Sequence, residues 1–128
     1  MFKGRCECGS VAFTIARDDL RPPSACHCSQ CRRWSGHFWA GTTAMNDELG
    51  LDRAETLAWF RSSDRAERGH CTACGSSLFY RPLGGDHVSV AMGALDLPTG
   101  TRLRRHIFTG SKGDYYDIAD DLPQFEEW

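Results

Sequence analysis

The 128-residue sequence contains no apolar run of about 18 residues or more, so it offers no helix able to span a bilayer. It also lacks a basic-then-apolar N-terminal stretch of the kind that acts as a secretory leader. Neither sign of charge dominates: 15 Lys and Arg stand against 17 Asp and Glu, a formal net charge of −2. A nucleic-acid binder normally carries a basic excess on one face, and none is written here. No Ser-His-Asp arrangement, glycine-rich phosphate loop or paired-carboxylate motif stands out, so the sequence assigns no catalytic acid or base. Internal repeats, low-complexity tracts and linkers are missing as well, and residues 1–128 are expected to form a single domain. Apolar residues at 41% and charged residues at 25% are ordinary for a soluble globular chain.

A long helix is also missing. Val11-Ala12-Phe13-Thr14-Ile15 sets large apolar side chains on alternate residues, the period of a half-buried strand, and Val88-Ser89-Val90-Ala91-Met92 repeats the pattern. His37–Thr43, Leu57–Arg61 and Ser77–Tyr80 are aromatic-rich, bounded by turn residues, and read as further strands. Glycine and proline at Pro22-Pro23, Gly50, Gly69, Pro82, Gly84-Gly85, Pro98 and Gly100 interrupt every long window. Frequent short strands predict an all-β fold, mainly strand with short helical turns. The acidic stretch Asn46–Glu55 is the expected place for one such turn. Phe13, Trp59 and Phe79 are the expected aromatic core.

What the sequence has in quantity is cysteine. Seven are set as Cys6-x-Cys8, Cys26-x-Cys28-x-x-Cys31 and Cys71-x-x-Cys74. These spacings are those of metal ligands, and an odd count argues against a closed disulfide framework. Free metal-binding cysteines persist in a reducing compartment, so a cytoplasmic location is expected. Seven divides as four plus three. Four thiolates saturate a tetrahedral zinc, whereas three leave a coordination position open, which separates a structural site from one able to do chemistry. Two Zn²⁺ on seven thiolates would move the formal charge from −2 to −5, since seven negative charges are set against four positive.

Glycine follows both outer pairs, as Cys6-Glu7-Cys8-Gly9 and Cys71-Thr72-Ala73-Cys74-Gly75. It tolerates the left-handed turn that brings backbone amides towards the sulfurs. In an extended Cys6-x-Cys8 both side chains fall on one face of the strand. The spacing alone leaves other partitions open. Cys28, Cys31, Cys71 and Cys74 also make a ribbon-like pair of C-x-x-C units, though the intervening 39 residues exceed the usual spacer. His37, His70 and His106 are alternatives for a fourth ligand on Cys26, Cys28 and Cys31. His27 would face away from those ligands if its segment is extended.

Taken together, Gly4-Arg5-Cys6-Glu7-Cys8-Gly9-Ser10-Val11, Cys26-His27-Cys28-Ser29-Gln30-Cys31-Arg32-Arg33 and Cys71-Thr72-Ala73-Cys74-Gly75 resemble the glutathione-dependent formaldehyde-activating enzyme (GFA) and centromere-protein-V-like family. Gly93-Ala94-Leu95-Asp96, His106-Ile107-Phe108 and Asp120–Phe125 are similar to its C-terminal half. The resemblance implies an Mss4-like β-tent built around zinc. It implies a structural zinc on Cys6, Cys8, Cys71 and Cys74, and a second zinc on Cys26, Cys28 and Cys31. It also implies a carbon–sulfur lyase-type activity on S-hydroxymethylglutathione or a related thiol–aldehyde adduct, with a small thiol such as glutathione as partner.

Three thiolates donate strongly and leave a divalent ion with net −1 charge, a poor generator of hydroxide but a good seat for a soft sulfur ligand. Arg32 and Arg33, beside the triplet, are the expected substrate-binding residues because the guanidinium fork fits carboxylates. Trp34, Phe38 and Trp39 are candidates for the pocket wall. Two alternatives to an enzyme are a zinc-stabilised binding module, against which the extra triplet speaks, and a glutathione carrier or redox protein.

Overall fold

In the computed structural model, which describes all residues from Met1 to Trp128, ten strands and one short helix form two sheets. The strands are β1 (Phe2–Arg5), β2 (Ala12–Ile15), β3 (Ser24–Cys26), β4 (Trp39–Met45), β5 (Leu49–Arg53), β6 (Leu57–Arg61), β7 (Ala66–Cys71), β8 (Ser77–Pro82), β9 (His87–Ala91) and β10 (Arg105–Ile107). Helix α1 covers Ser29–Ser35. The smaller sheet runs β1-β2-β5 and the larger β10-β3-β4-β9-β8-β7-β6. Every pairing is antiparallel except β10 on β3. The all-β expectation holds.

Alternation along the strands sorts side chains to the two faces of the larger sheet, except where a register shift between β7 and β8 leaves Leu78 as an extra residue beside Phe79. One face meets the smaller sheet over a core that includes Phe13 and Ile15 from β2, Ala44 from β4, Leu78 and Phe79 from β8, and Val88 and Val90 from β9. Phe13 meets Phe79 edge-on at 5.0 Å between centroids. Trp59 lies nearly parallel to Phe79 at 5.9 Å and is only partly buried. Gly69 lies opposite Phe79 in the register, and a β-carbon there would press on both rings at 3.1 Å. The opposite face of the sheet carries Cys26, Gly41, Thr43, Arg68, Tyr80 and Ser89, and it is this face that bears a cavity.

The acidic stretch differs from expectation. Asn46–Glu48 makes a tight turn, and Leu49–Arg53 is then a strand, not a helical turn. Leu49 lies opposite Ile15 and packs on the core, so pairing with β2 outweighs the local composition. Glu48 anchors that turn. Its carboxylate accepts from Arg21 at 2.7 and 3.1 Å, from Arg17 at 3.0 Å and from the Met45 amide at 2.8 Å.

Those bonds, chiefly the one from Arg21, hold the Glu48 carboxyl down at about 2, against an ordinary 4.5. The ionised form therefore stabilises the fold fully above 4.5, and the contribution is lost as pH falls through about 2. Glu48→Gln should lower the thermal midpoint at pH 7, and the gap from the parent should narrow steadily below pH 4.5. A gap that stays constant down to pH 2 contradicts this assignment. Phe79→Ala, by contrast, should cost about 3–5 kcal/mol in denaturant unfolding at any pH, because it opens a cavity under two aromatic rings.

Candidate metal centres

The fold gathers the seven cysteines into two groups, Cys6 with Cys8, Cys71 and Cys74, and Cys26 with Cys28 and Cys31. Within each group all sulfurs lie within 4.8 Å of one another. None is in a disulfide.

The first group is built from two matching corners. The Gly9 amide bonds the Cys6 carbonyl at 3.1 Å and the Gly75 amide bonds the Cys71 carbonyl at 2.8 Å. Both glycines take the left-handed conformation at φ 81°. The Cys6-x-Cys8 pair therefore sits in a turn after β1, not in an extended strand, because the glycine lets the chain fold back on itself. The second corner is the loop between β7 and β8. Cys6 and Cys8 sulfurs are 3.6 Å apart, and those of Cys8 and Cys71 are 3.8 Å apart. A tetrahedral metal–thiolate site with bonds of about 2.3 Å has edges of about 3.8 Å, so the sulfurs present fit one ion.

Polar donors already serve these sulfurs. The Val11 amide points at Cys6 Sγ at 3.3 Å. A bond from the Thr56 hydroxyl, helped by the Ala73 and Cys74 amides, lowers the Cys71 thiol. Ser76, with the Cys8 amide, brings Cys74 down to about 5. These groups favour thiolate, the form that binds metal.

The second group lies across the end of β3 and the start of α1. Cys26 closes β3, and Cys28 caps α1, its sulfur accepting from the Cys31 amide at 3.3 Å. Hydrogen bonds from the two neighbouring thiols, with the Arg68 charge behind them, hold Cys28 well below the usual thiol range, while Cys26 is pushed up. No histidine or carboxylate joins the three sulfurs. His27 points away from them, as its position between two ligands predicts, and is buried beside His106.

The buried imidazoles form a polarised chain. Asp120 can only accept from His106 Nε2–H, at 3.0 Å, which leaves His106 Nδ1 to accept from His27 Nε2–H at 2.8 Å. His27 Nδ1 then accepts from the Tyr116 hydroxyl. Burial, followed by the neighbouring His106, pushes His27 down to about 4, and the His106 bond lowers Asp120. The chain pins the residue between Cys26 and Cys28 and so aims both sulfurs away from the imidazoles. His37 is occupied with the Tyr115 hydroxyl at 2.9 Å, and His70 stays on β7 outside the sulfur group.

The three sulfurs line a cavity of about 690 Å³ with Gln30, Arg68, Tyr80, His87 and Arg105. Arg68 carries no local sequence signal that sets it apart from the other arginines, and its position follows only from β7. It is 4% exposed, directs Nη1 at Cys31 Sγ at 3.5 Å and Nη2 at Gln30 at 3.2 Å, and lies 5.0 Å from both the Trp34 and the Tyr80 rings. A divalent ion on three thiolates carries −1, so Arg68 makes the cluster neutral. Arg32 and Arg33 do not line this cavity, and Arg33 is exposed. Trp34, Phe38 and Trp39 wall a separate open groove of about 630 Å³, with Trp39 shared between the two.

Removing metal should separate the two centres. Cys74→Ser should bind one metal equivalent fewer and lose most of its thermal stability, since structural metal sites in small domains supply roughly 10 kcal/mol of folding free energy. Cys28→Ser should also lose one equivalent yet keep a cooperative unfolding transition near that of the parent. Equal destabilisation by both would contradict the division. Arg68→Met should weaken metal at the three-sulfur site by roughly tenfold or more, read by competition with a chelator, because such neighbours commonly carry that weight.

Residues 1–111 match the family described as glutathione-dependent formaldehyde-activating enzyme. An uncharacterized lyase of Schizosaccharomyces pombe is 29% identical over 80 residues, which cover 62% of this chain. The match spans 56% of that relative's length. Among solved structures, a Rhodobacter sphaeroides protein superposes with a TM-score of 0.63 at 24% identity, over 79% of this chain and 98% of its own. That likeness is one of fold. The extent of the family match, with the two sulfur groups in place, means that this chain belongs to the glutathione-dependent formaldehyde-activating enzyme family.

Proposed function

We propose that both centres bind zinc, that the four-sulfur zinc is structural, and that the three-sulfur zinc takes a small thiol such as glutathione in its open position. We further propose that the protein is a carbon–sulfur lyase-type enzyme acting on S-hydroxymethylglutathione or a related thiol–aldehyde adduct. The observation that carries this reading is the triplet itself: three sulfurs with no fourth protein ligand, facing a cavity within the size range of small-molecule sites. Soft thiolate ligands favour zinc over harder ions.

Zinc bound there supplies a Lewis acid that lowers the pKa of an incoming thiol. The chain's own residues do the remainder. Cys26, Cys28 and Cys31 present sulfur, and Arg68 offsets the net charge of the ion on those three, so that a fourth thiolate would bring the cluster to −1 rather than −2. In the synthetic direction the thiol loses its proton, its sulfur bonds to the aldehyde carbon, and the carbonyl oxygen takes up a proton. In reverse the carbon–sulfur bond breaks and thiol and aldehyde are released. His87, the one imidazole on the cavity wall, is hydrogen-bonded at Nδ1 to Asp86 at 2.9 Å.

The test uses protein loaded with Co²⁺ at both centres. Glutathione should produce a saturable change in the thiolate-to-metal charge-transfer band, S-methylglutathione should not, and Cys31→Ser should lose the response. Exchange of formaldehyde between solution and S-hydroxymethylglutathione, followed by NMR, should then run faster than the spontaneous reaction. Binding without faster exchange would leave a thiol carrier as the function. No binding with both metals present would overturn the thiol reading.

A further inference from the structure

Arg105 is placed by the register of the two edge strands. On β10 it lies opposite Ser24, and Ile107, two residues on, lies opposite Cys26. Its backbone is therefore roughly 7 Å along the strand direction from the level of Cys26. Its Nε donates to Ser24 Oγ at 3.0 Å, and its guanidinium lies on the Trp128 ring at 3.8 Å from the centroid. The segment carrying Trp128 is held there by backbone bonds from Phe108 to Glu127 and from Gly110 to Glu126, at 3.3 and 3.2 Å. Both Arg105 and Trp128 line the cavity that contains the three cysteines.

Two features of this arrangement suit it to an anionic ligand. First, the residues lining the cavity include Arg68 and Arg105 but no aspartate or glutamate, in a chain whose acidic residues outnumber its basic ones. Second, Arg105 forms no salt bridge, and its two Nη groups have no acceptor in the protein. Arg68 is already committed to Cys31 and Gln30. Burial makes the Arg105 charge less favourable, with Arg104 adding to the effect. A guanidinium fixed by Ser24 through Nε and by an aromatic face keeps its paired Nη edge for a planar two-oxygen partner.

We infer that Arg105, supported by Trp128 and Ser24, is the residue that recognises a carboxylate of the thiol ligand. This rests on the proposal that the open three-cysteine centre binds a thiol. The separation from Cys26 fits a peptide-sized acidic thiol whose carboxylate lies several bonds from its sulfur. Specificity within the cavity is then divided: sulfur is read at the metal and negative charge at β10.

The experiment compares glutathione with glutathione esterified at both carboxyls, using the Co²⁺-loaded protein and its charge-transfer band. On the unaltered protein the diester should bind roughly ten- to a hundredfold more weakly, the weight of a hydrogen bond to a charged group. Arg105→Met should weaken glutathione by a similar factor and leave the diester nearly unchanged, and Arg105→Lys should recover part of the loss. Trp128→Ala should weaken glutathione by a few-fold. Equal binding of the two ligands to the unaltered protein overturns the role of Arg105, whatever the variants do, while leaving the thiol reading standing. Failure of both ligands to bind, with both metals present, overturns the thiol reading and this inference with it.

Discussion

The structure depends on how its crowded sulfurs are accommodated. Two thiolates about 4 Å apart repel by roughly 4 kcal/mol at the effective dielectric of a protein site. The four-sulfur centre has neighbours at 3.6 and 3.8 Å, and its ligands come from chain segments more than 60 residues apart. Such a group is compatible with a folded chain only when its protons are kept or a cation replaces them. A metal bound there would join the turn after β1 to the β7–β8 corner and so tie the smaller sheet to the larger. The hydroxyls and amides that already point at these sulfurs bias the balance towards thiolate and metal.

The same constraint is met differently on the other face of the large sheet. There three sulfurs have a buried arginine at 3.5 Å instead of a fourth ligand. A neutral cluster of ion, three thiolates and Arg68 can accept one more anionic ligand at a cost in charge no greater than that of the ion on three thiolates alone. The His27–His106–Asp120 chain, with both imidazoles buried and the carboxylate at the surface, fixes the backbone between two of the sulfurs from the far side of the sheet. The cavity thus lies in front of the three sulfurs, with a hydrogen-bonded chain behind them. One sheet serves both ends, with its inner face forming the core and its outer face the pocket.

Much of this was legible in the sequence. The period-two runs at Val11–Ile15 and Val88–Met92 locate the strands that carry the core, because a half-buried strand must alternate. The cysteine spacings and their trailing glycines mark the two corners, because a tight left-handed turn beside metal ligands has few other sequences. The stretch Asn46–Glu55 misleads, since its acidity is local while the contact of Leu49 with Ile15 is not. Helix α1 is hidden inside the cysteine motif, where ligand spacing masks the cap. Arg68 and Arg105 were the least visible, for a physical reason. An arginine is identified by what it faces, and their neighbours come from β3, β8, α1 and the segment ending in Trp128. Adjacency to the triplet favoured Arg32 and Arg33, whereas strand register brings the other two to the cavity.

The central claim is that one centre is closed and the other open to a thiol. ¹¹³Cd NMR of protein carrying two equivalents of cadmium tests it most directly, because each ion reports its own ligand set. The account predicts two resonances, of which only the one lost in Cys28→Ser moves when glutathione is added, towards the position of the all-sulfur site. Two resonances that both ignore glutathione, or a shift of the one lost in Cys74→Ser, would contradict it.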